Sequence, residues 1–213
     1  MPDRQKIPPG ARTPQTRPAP AAVPILDVLA GRWSPRAVDP DRPVPRAQLR
    51  RLFEAARWAP SSGNVQPWRF LLFDDEVPQA REAARGCLRR GNVWATAAPV
   101  LVIVLVQPCW PDSTDPNPSA RHDTGAAALS LCLQASAEGL VAHQMAGFER
   151  ALVRERFAVP DAFEPASCIA VGHPGRLAAL DERRLARETA PRTRRPVERS
   201  VFVGGWSGPG LTS

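Results

Sequence analysis

Two short segments carry the side chains best suited to chemistry. Arg32-Trp33-Ser34-Pro35-Arg36 sets two guanidinium groups around a hydroxyl. Arg presents fork-shaped, charge-assisted donors to phosphate oxygens and Ser adds a short neutral one, so the pattern suits a phosphate. Most Arg is exposed, and the segment alone reads more simply as solvated surface. The second segment is Ala59-Pro60-Ser61-Ser62-Gly63-Asn64-Val65-Gln66-Pro67-Trp68. It offers hydroxyl and carboxamide donors and acceptors without a titrating group, the kind of edge that a planar heterocycle with ring carbonyls and ring nitrogens needs. By itself it is also an ordinary turn.

Side-chain-driven catalysis finds little support. The chain has no Tyr, and its three His residues (His122, His143, His173) lack a metal spacing such as H-E-x-x-H. Ser61 and Ser62 do not sit in a G-x-S-x-G elbow, so a hydrolase triad has no anchor. Cys87, Cys109, Cys132 and Cys168 form no C-x-x-C pair and read as buried thiols. What remains is a cofactor that carries the reaction, with the protein supplying binding and electrostatics.

The elements that must position these segments follow from periodicity. Pro24 opens a predicted helix with an apolar face of Ile25, Val28 and Leu29, ending at Gly31. Leu49, Leu52, Phe53 and Ala56 recur at helical spacing within 46–58, and Pro60 stops that helix. A strand is expected over Trp68–Phe73, a helix over 78–90, and a strand covered on both faces over Pro99–Val106, where every position is apolar. The segment 107–119 has no periodicity and is a loop, with Trp110 inside it. Asp123–Glu138 reads as a long buried helix capped by Gly139, followed by a short helix near 149–157 and a strand near 167–171. Helices alternating around a sheet give one domain.

Composition narrows the classes. With 213 residues, 43% apolar and 23% charged, the chain is globular. Its longest apolar run, Ala97–Val106, is about half the roughly 20 residues a spanning helix needs, so no membrane partner is expected. Residues 1–23 form a predicted flexible Pro/Arg-rich arm that reads as neither a secretory signal nor a core element, which makes the protein cytoplasmic by expectation. The net charge of +7 lies at the ends: four basic residues and one acidic in 1–24, eight and four in 176–199, and sixteen of each in 25–175. The body carries no basic stripe, so nucleic acid is not the expected partner.

Together, the R-x-S-x-R segment and the A-P-S-S-x-N-x-Q-P-W segment resemble the nitroreductase family of FMN-dependent oxidoreductases. Ala97-Ala98-Pro99, Met145-Ala146-Gly147-Phe148 and Ile169-Ala170-Val171-Gly172-His173-Pro174 agree with it as well. The resemblance implies an α+β, three-layer fold with a mostly antiparallel central sheet, in a domain-exchanged homodimer. Residues 24–200 would bind FMN, and the apolar tail 201–213 would pack on the partner subunit. It places Arg32, Ser34 and Arg36 on the phosphate and ribityl chain, and Pro60, Ser61, Ser62 and Asn64 on the neighbouring subunit's flavin. Asn92 would meet the pyrimidine edge. The backbone of Ala146 and Gly147 would approach N5, where some relatives carry an acidic residue in place of Ala146. Arg192 and Arg194 would close on the phosphate, with Arg195 an alternative to Arg194.

The implied activity is a ping-pong transfer of electrons from NAD(P)H to a small acceptor such as a nitroaromatic or quinone, with no side chain acting as acid or base. Other readings are a flavin-fragmenting synthase, which shares part of the second motif; a dehalogenase-like enzyme, whose lid contains the Tyr missing here; a non-catalytic flavin-binding protein; and a nucleic-acid partner using the basic ends.

Overall fold

The computed structural model describes residues 8 and 10–211. Four strands form one sheet: β1 (Trp68–Phe73), β2 (Val100–Val106), β3 (Val141–Met145) and β4 (Glu164–Gly172), in the order β1-β2-β4-β3 with every neighbouring pair antiparallel. This is the three-layer α+β arrangement expected from the sequence. Strand β2 shows why its run is apolar at every position. Val100, Val102 and Val104 enter one core with Leu49, Leu52, Leu131 and Ile169, while Leu101, Ile103 and Leu105 enter the other with Trp94, Phe148 and Val153. Because successive side chains point to opposite faces, a strand sandwiched between layers needs both sets apolar.

The first layer is α2 (Arg46–Arg57) and α4 (Ala120–Ala137). The buried face of α4 is largely small, with Ala127, Ala128, Ala135 and Cys132 around Leu131, which lets it lie close to the sheet. Gly139 ends it with φ of 77°, a left-handed conformation that glycine adopts without steric cost. Arg51 joins the layer's two helices through both Glu138 carboxylate oxygens at 2.6 Å. The opposite layer holds α3 (Pro78–Arg85), a 3-10 segment over Arg90–Ala97, and α5 (Arg150–Arg156). The helix expected over 78–90 is thus shorter, ending at Arg85, and the 3-10 segment begins only at Arg90. Burial lifts the Cys132 thiol to about 11 and the Cys168 thiol to about 12, so both stay protonated packing groups.

Three regions differ from the sequence reading. The first helix, α1, spans only Asp27–Gly31, and its intended apolar face is exposed at Ile25 and Leu29. The second region is the arm. Residues 1–7 and 9 lie outside the described residues, but 11–19 is laid along the domain where a flexible segment was expected. Thr13 N–H donates to Gly175 O at 2.8 Å, Arg17 N–H to Gly31 O at 2.9 Å and Ala19 N–H to Ala30 O at 2.9 Å. These backbone bonds supply the ordering energy that the arm's composition lacks. Third, the polar stretch after Gly175 contains a helix, α6 (Glu182–Thr189), whose N-cap Asp181 accepts from Arg184 N–H at 2.7 Å. No described helix is long and apolar enough to cross a membrane.

Candidate functional site

The turn 32–37 joins α1 to the body of the fold and is held from four sides. The buried carboxylate of Glu188, on α6, accepts from Arg36 N–H at 2.9 Å, from Ala37 N–H at 3.1 Å and from the Thr13 hydroxyl at 2.8 Å. On β3, His143 Nδ1 lies 2.9 Å from Pro35 O, and its ring stacks on Trp94 at 4.7 Å. Burial drives the His143 pKa down to about 4, and Arg36 and Arg32 push the same way, so the ring is neutral and Nδ1 is the donor. Trp33 Nε1 donates to Pro14 O at 3.1 Å, and Arg192 donates to Arg32 O at 3.1 Å. With its backbone fixed this way, the turn keeps Arg32 beside Ser34, guanidinium to hydroxyl at 3.3 Å, and leaves the Arg36 guanidinium 4.0 Å from Glu188.

Fifty-five positions apart in sequence, Asn92 and Gly147 meet: the Asn92 amide donates to Gly147 O at 3.0 Å. A Cβ on Gly147 would lie 2.6 Å from Asn92 Nδ2, so only glycine permits the approach. Ala146 precedes it at the end of β3 and is exposed. Beside this pair, Arg36, Arg90 and Gly91 line a cleft of about 590 Å³ closed on its far side by Asp181, Arg183, Arg184 and Arg187. Burial lowers the Arg36 pKa, and the like charges of Arg187 and Arg184 add to that against the opposing pull of Glu188. Its guanidinium therefore sits in an electrostatic setting that an anion would relieve. The cleft lining holds arginines, one aspartate and a glycine, with no His or Cys.

The structure thus brings Arg32, Ser34, Arg36, Asn92, Ala146 and Gly147 to one side of the molecule. Pro60, Ser61, Ser62 and Asn64 are elsewhere. Ser62 N–H donates to Asp123 on α4 at 2.9 Å, the Ser61 hydroxyl accepts from Gln66 N–H at 3.0 Å, and Gly63 faces Trp110. Asn64 and Gln66 hold φ values of 55° and 53°, which fixes a sharply turned loop. Burial works against the Asp123 carboxylate, but His122 and the Ser62 N–H more than offset it and hold its pKa below the usual range. Among the described residues this loop shares no hydrogen bond or ion pair with the arginine cleft.

Arg192 is placed close to the expected phosphate turn, yet its guanidinium donates to Arg17 O, to Ala30 O at 2.6 Å and to Arg32 O. It ties three backbone segments together. Arg194 is exposed and donates to its neighbour's carbonyl, Thr193 O, at 2.8 Å. Sequence reasoning missed Glu188, His143 and the helix that carries Glu188. Asp181 followed by Glu182 was a usable helix-start signal, whereas nothing in a sequence distinguishes Glu188 from any solvated Glu.

A model of the nitroreductase family matches residues 29–173. The chain belongs to that family. Three similarities place it further. An uncharacterised 15.4 kDa protein of Mycolicibacterium smegmatis is 39% identical over 140 residues, 63% of this chain and 90% of that protein. The NADH dehydrogenase of Thermus thermophilus is 35% identical over 88 residues, 39% of this chain and 40% of that one. A crystal structure described as an oxidoreductase containing FMN superposes with a TM-score of 0.83 at 31% identity, covering 89% of this chain and 96% of that one. The nitroreductase match includes the turn at 32–36, the loop at 60–64, Asn92 and Ala146-Gly147, and it ends before α6.

Proposed function

We propose that this nitroreductase-family chain is an FMN-dependent oxidoreductase that moves electrons from NAD(P)H to a small acceptor, a nitroaromatic or a quinone, by a ping-pong mechanism. One observation carries the reading: the anchored turn puts Arg36 into a cleft with Arg90 and Gly91, next in sequence to the carboxamide of Asn92 that Gly147 holds. The donor set fits FMN. Arg32, Ser34 and Arg36 supply charged and neutral donors for a phosphate, and Asn92 a carboxamide for a ring edge, held in place by its bond to Gly147. Arg192 contributes by fixing Arg32 and the chain before it, and Arg194 is free to approach the phosphate.

FMN, when bound, supplies a ring nitrogen that accepts and returns hydride. The chain's own part is to bind, orient and stabilise. Glu188 and His143 immobilise the turn, so Arg36 would meet its anion without reorganisation, and Asn92 would present its carboxamide to the ring edge. No residue of the cleft need take or give a proton, in keeping with its lining.

The site is completed by a second copy of the chain. Among the described residues loop 60–66 shares no hydrogen bond or ion pair with its own cleft, and large apolar surface remains exposed on this single subunit: Leu26 at 70%, Val23 at 67% and Trp206 at 86%. In the tail, Phe202 pairs across a short hairpin with Gly210 and stacks on Trp206 at 5.1 Å. This preformed apolar knob suits burial on a partner subunit.

The deciding experiment is the visible spectrum of the purified protein, followed by anaerobic addition of NADH or NADPH and then a panel of acceptors. A yellow protein bleached by the dinucleotide and reoxidised by quinone or nitroaromatic is expected. A colourless protein that fails to take up added FMN overturns the reading.

A further inference from the structure

The cleft holds more positive charge than one mononucleotide needs. Arg36, Arg90, Arg183, Arg184 and Arg187 line it against a single carboxylate, Asp181. That carboxylate is already occupied by the Arg184 N–H and the Arg184 guanidinium. Among the described residues Arg90, Arg183 and Arg187 have no ion-pair partner. The charges are also costly: Arg187 and Arg184 both act to lower the pKa of Arg36. A phosphate monoester carries at most about two negative charges, and Arg32, Ser34 and Arg36 already offer it a complete set of donors. Arg183 and Arg187 lie four apart on α6, one helical turn, so both can serve the same rim. They lie beyond the family match, which ends at residue 173.

We infer that the arginines of α6, with Arg90, read the 2′-phosphate of a phosphorylated nicotinamide dinucleotide, so that the reductant is NADPH in preference to NADH. This rests on the flavin reading, since it needs the dinucleotide to enter beside Arg36. NADH and NADPH share the pyrophosphate and differ only in the 2′-phosphate. Arginines beyond those that meet the flavin phosphate therefore discriminate between them, whereas donors to the shared pyrophosphate do not. Arg supplies the planar, forked donors that a phosphate monoester takes up bidentately. Arg183 and Arg187 are exposed, so the discrimination weakens as salt rises.

The test uses the full-length protein as purified and two fragments of the adenosine end, 2′,5′-ADP and 5′-AMP, titrated calorimetrically at low and high ionic strength. Binding of 2′,5′-ADP about tenfold or more tighter than 5′-AMP is expected, the gap narrowing with salt. The Arg183→Ala/Arg187→Ala variant is expected to lose that preference with FMN content per chain unchanged. Equal affinities of the unaltered protein for the two nucleotides overturn the inference. Loss of FMN from the double variant overturns it too, by assigning these arginines to the flavin phosphate. A yellow protein without nucleotide preference sinks only this inference. A colourless one that still prefers 2′,5′-ADP sinks the flavin reading and keeps the phosphate subsite.

Discussion

The turn 32–37 and the loop 60–66 are both short, both rich in Ser and Pro, and differently built. The first is cationic and anchored from within its own chain: a buried carboxylate, a neutral imidazole, an indole and a guanidinium each fix part of its backbone. The second is uncharged, holds itself through Ser61 and Gln66, touches α4 through one N–H, and among the described residues shares no hydrogen bond or ion pair with the cleft. The contrast teaches that charge must be placed on a rigid backbone, because a guanidinium held a little too loosely loses most of its electrostatic value.

The largest effect that would break this contrast is at Glu188. Glu188→Ala removes three hydrogen bonds from the turn and the arm and leaves buried N–H groups unpaired, which should cost about 3–4 kcal/mol in denaturant unfolding and release FMN. A variant that keeps both its stability and its flavin would show that the turn needs no internal anchor. Next is pH. His143 is neutral when folded with a pKa near 4, below the ordinary histidine value, so the unfolded state takes the proton first as pH falls. Its contribution is fully present above about 6.5 and is lost as pH drops toward 4, roughly 3 kcal/mol in all. Chemical denaturation across that window should show the slope, and His143→Asn should flatten it.

Arg36→Ala should weaken FMN binding by about tenfold or more, with thermal stability nearly unchanged, because it deletes a charged donor and little packing. Asn64→Ala should have the smallest effect, a few-fold loss of flavin affinity without change in subunit stability. These two variants sharpen the comparison when combined. If loop 60–66 serves the partner's cleft, mixing Arg36→Ala subunits with Asn64→Ala subunits restores one unaltered site per mixed dimer, and flavin titration should recover a tight-binding fraction. If both residues serve the same chain's cleft, mixing restores nothing.

What could be read from the sequence followed from patterns that side-chain burial enforces. The all-apolar β2, the helical spacing of Leu49, Leu52 and Ala56, and Gly139 after α4 each reflect a face that must be dry or a backbone that must turn. β3 escaped because a five-residue strand carrying His143 and Gln144 has too little alternation to stand out. The arm at 11–19 escaped because its partners lie far along the chain: Arg12 pairs with Asp39, Gln15 donates to Ser136 O and Arg17 to carbonyls of 188–190, beside its backbone bonds, and such scattered long-range contacts leave no periodic trace. At the site, the arginines and carboxamides were identifiable by type and motif. The groups that hold them, Glu188 and His143, matter through burial, which residue type alone does not disclose.

The guanidinium of Arg192 reaches carbonyls on the arm, on α1 and on the phosphate-facing turn. During synthesis the sheet and the long helix can assemble as soon as β4 has left the ribosome, but Glu188 and Arg192 emerge only near the end. A nascent chain therefore acquires its core before its arginine-lined cleft, which closes only when segments 11–19 and 188–192 are drawn together.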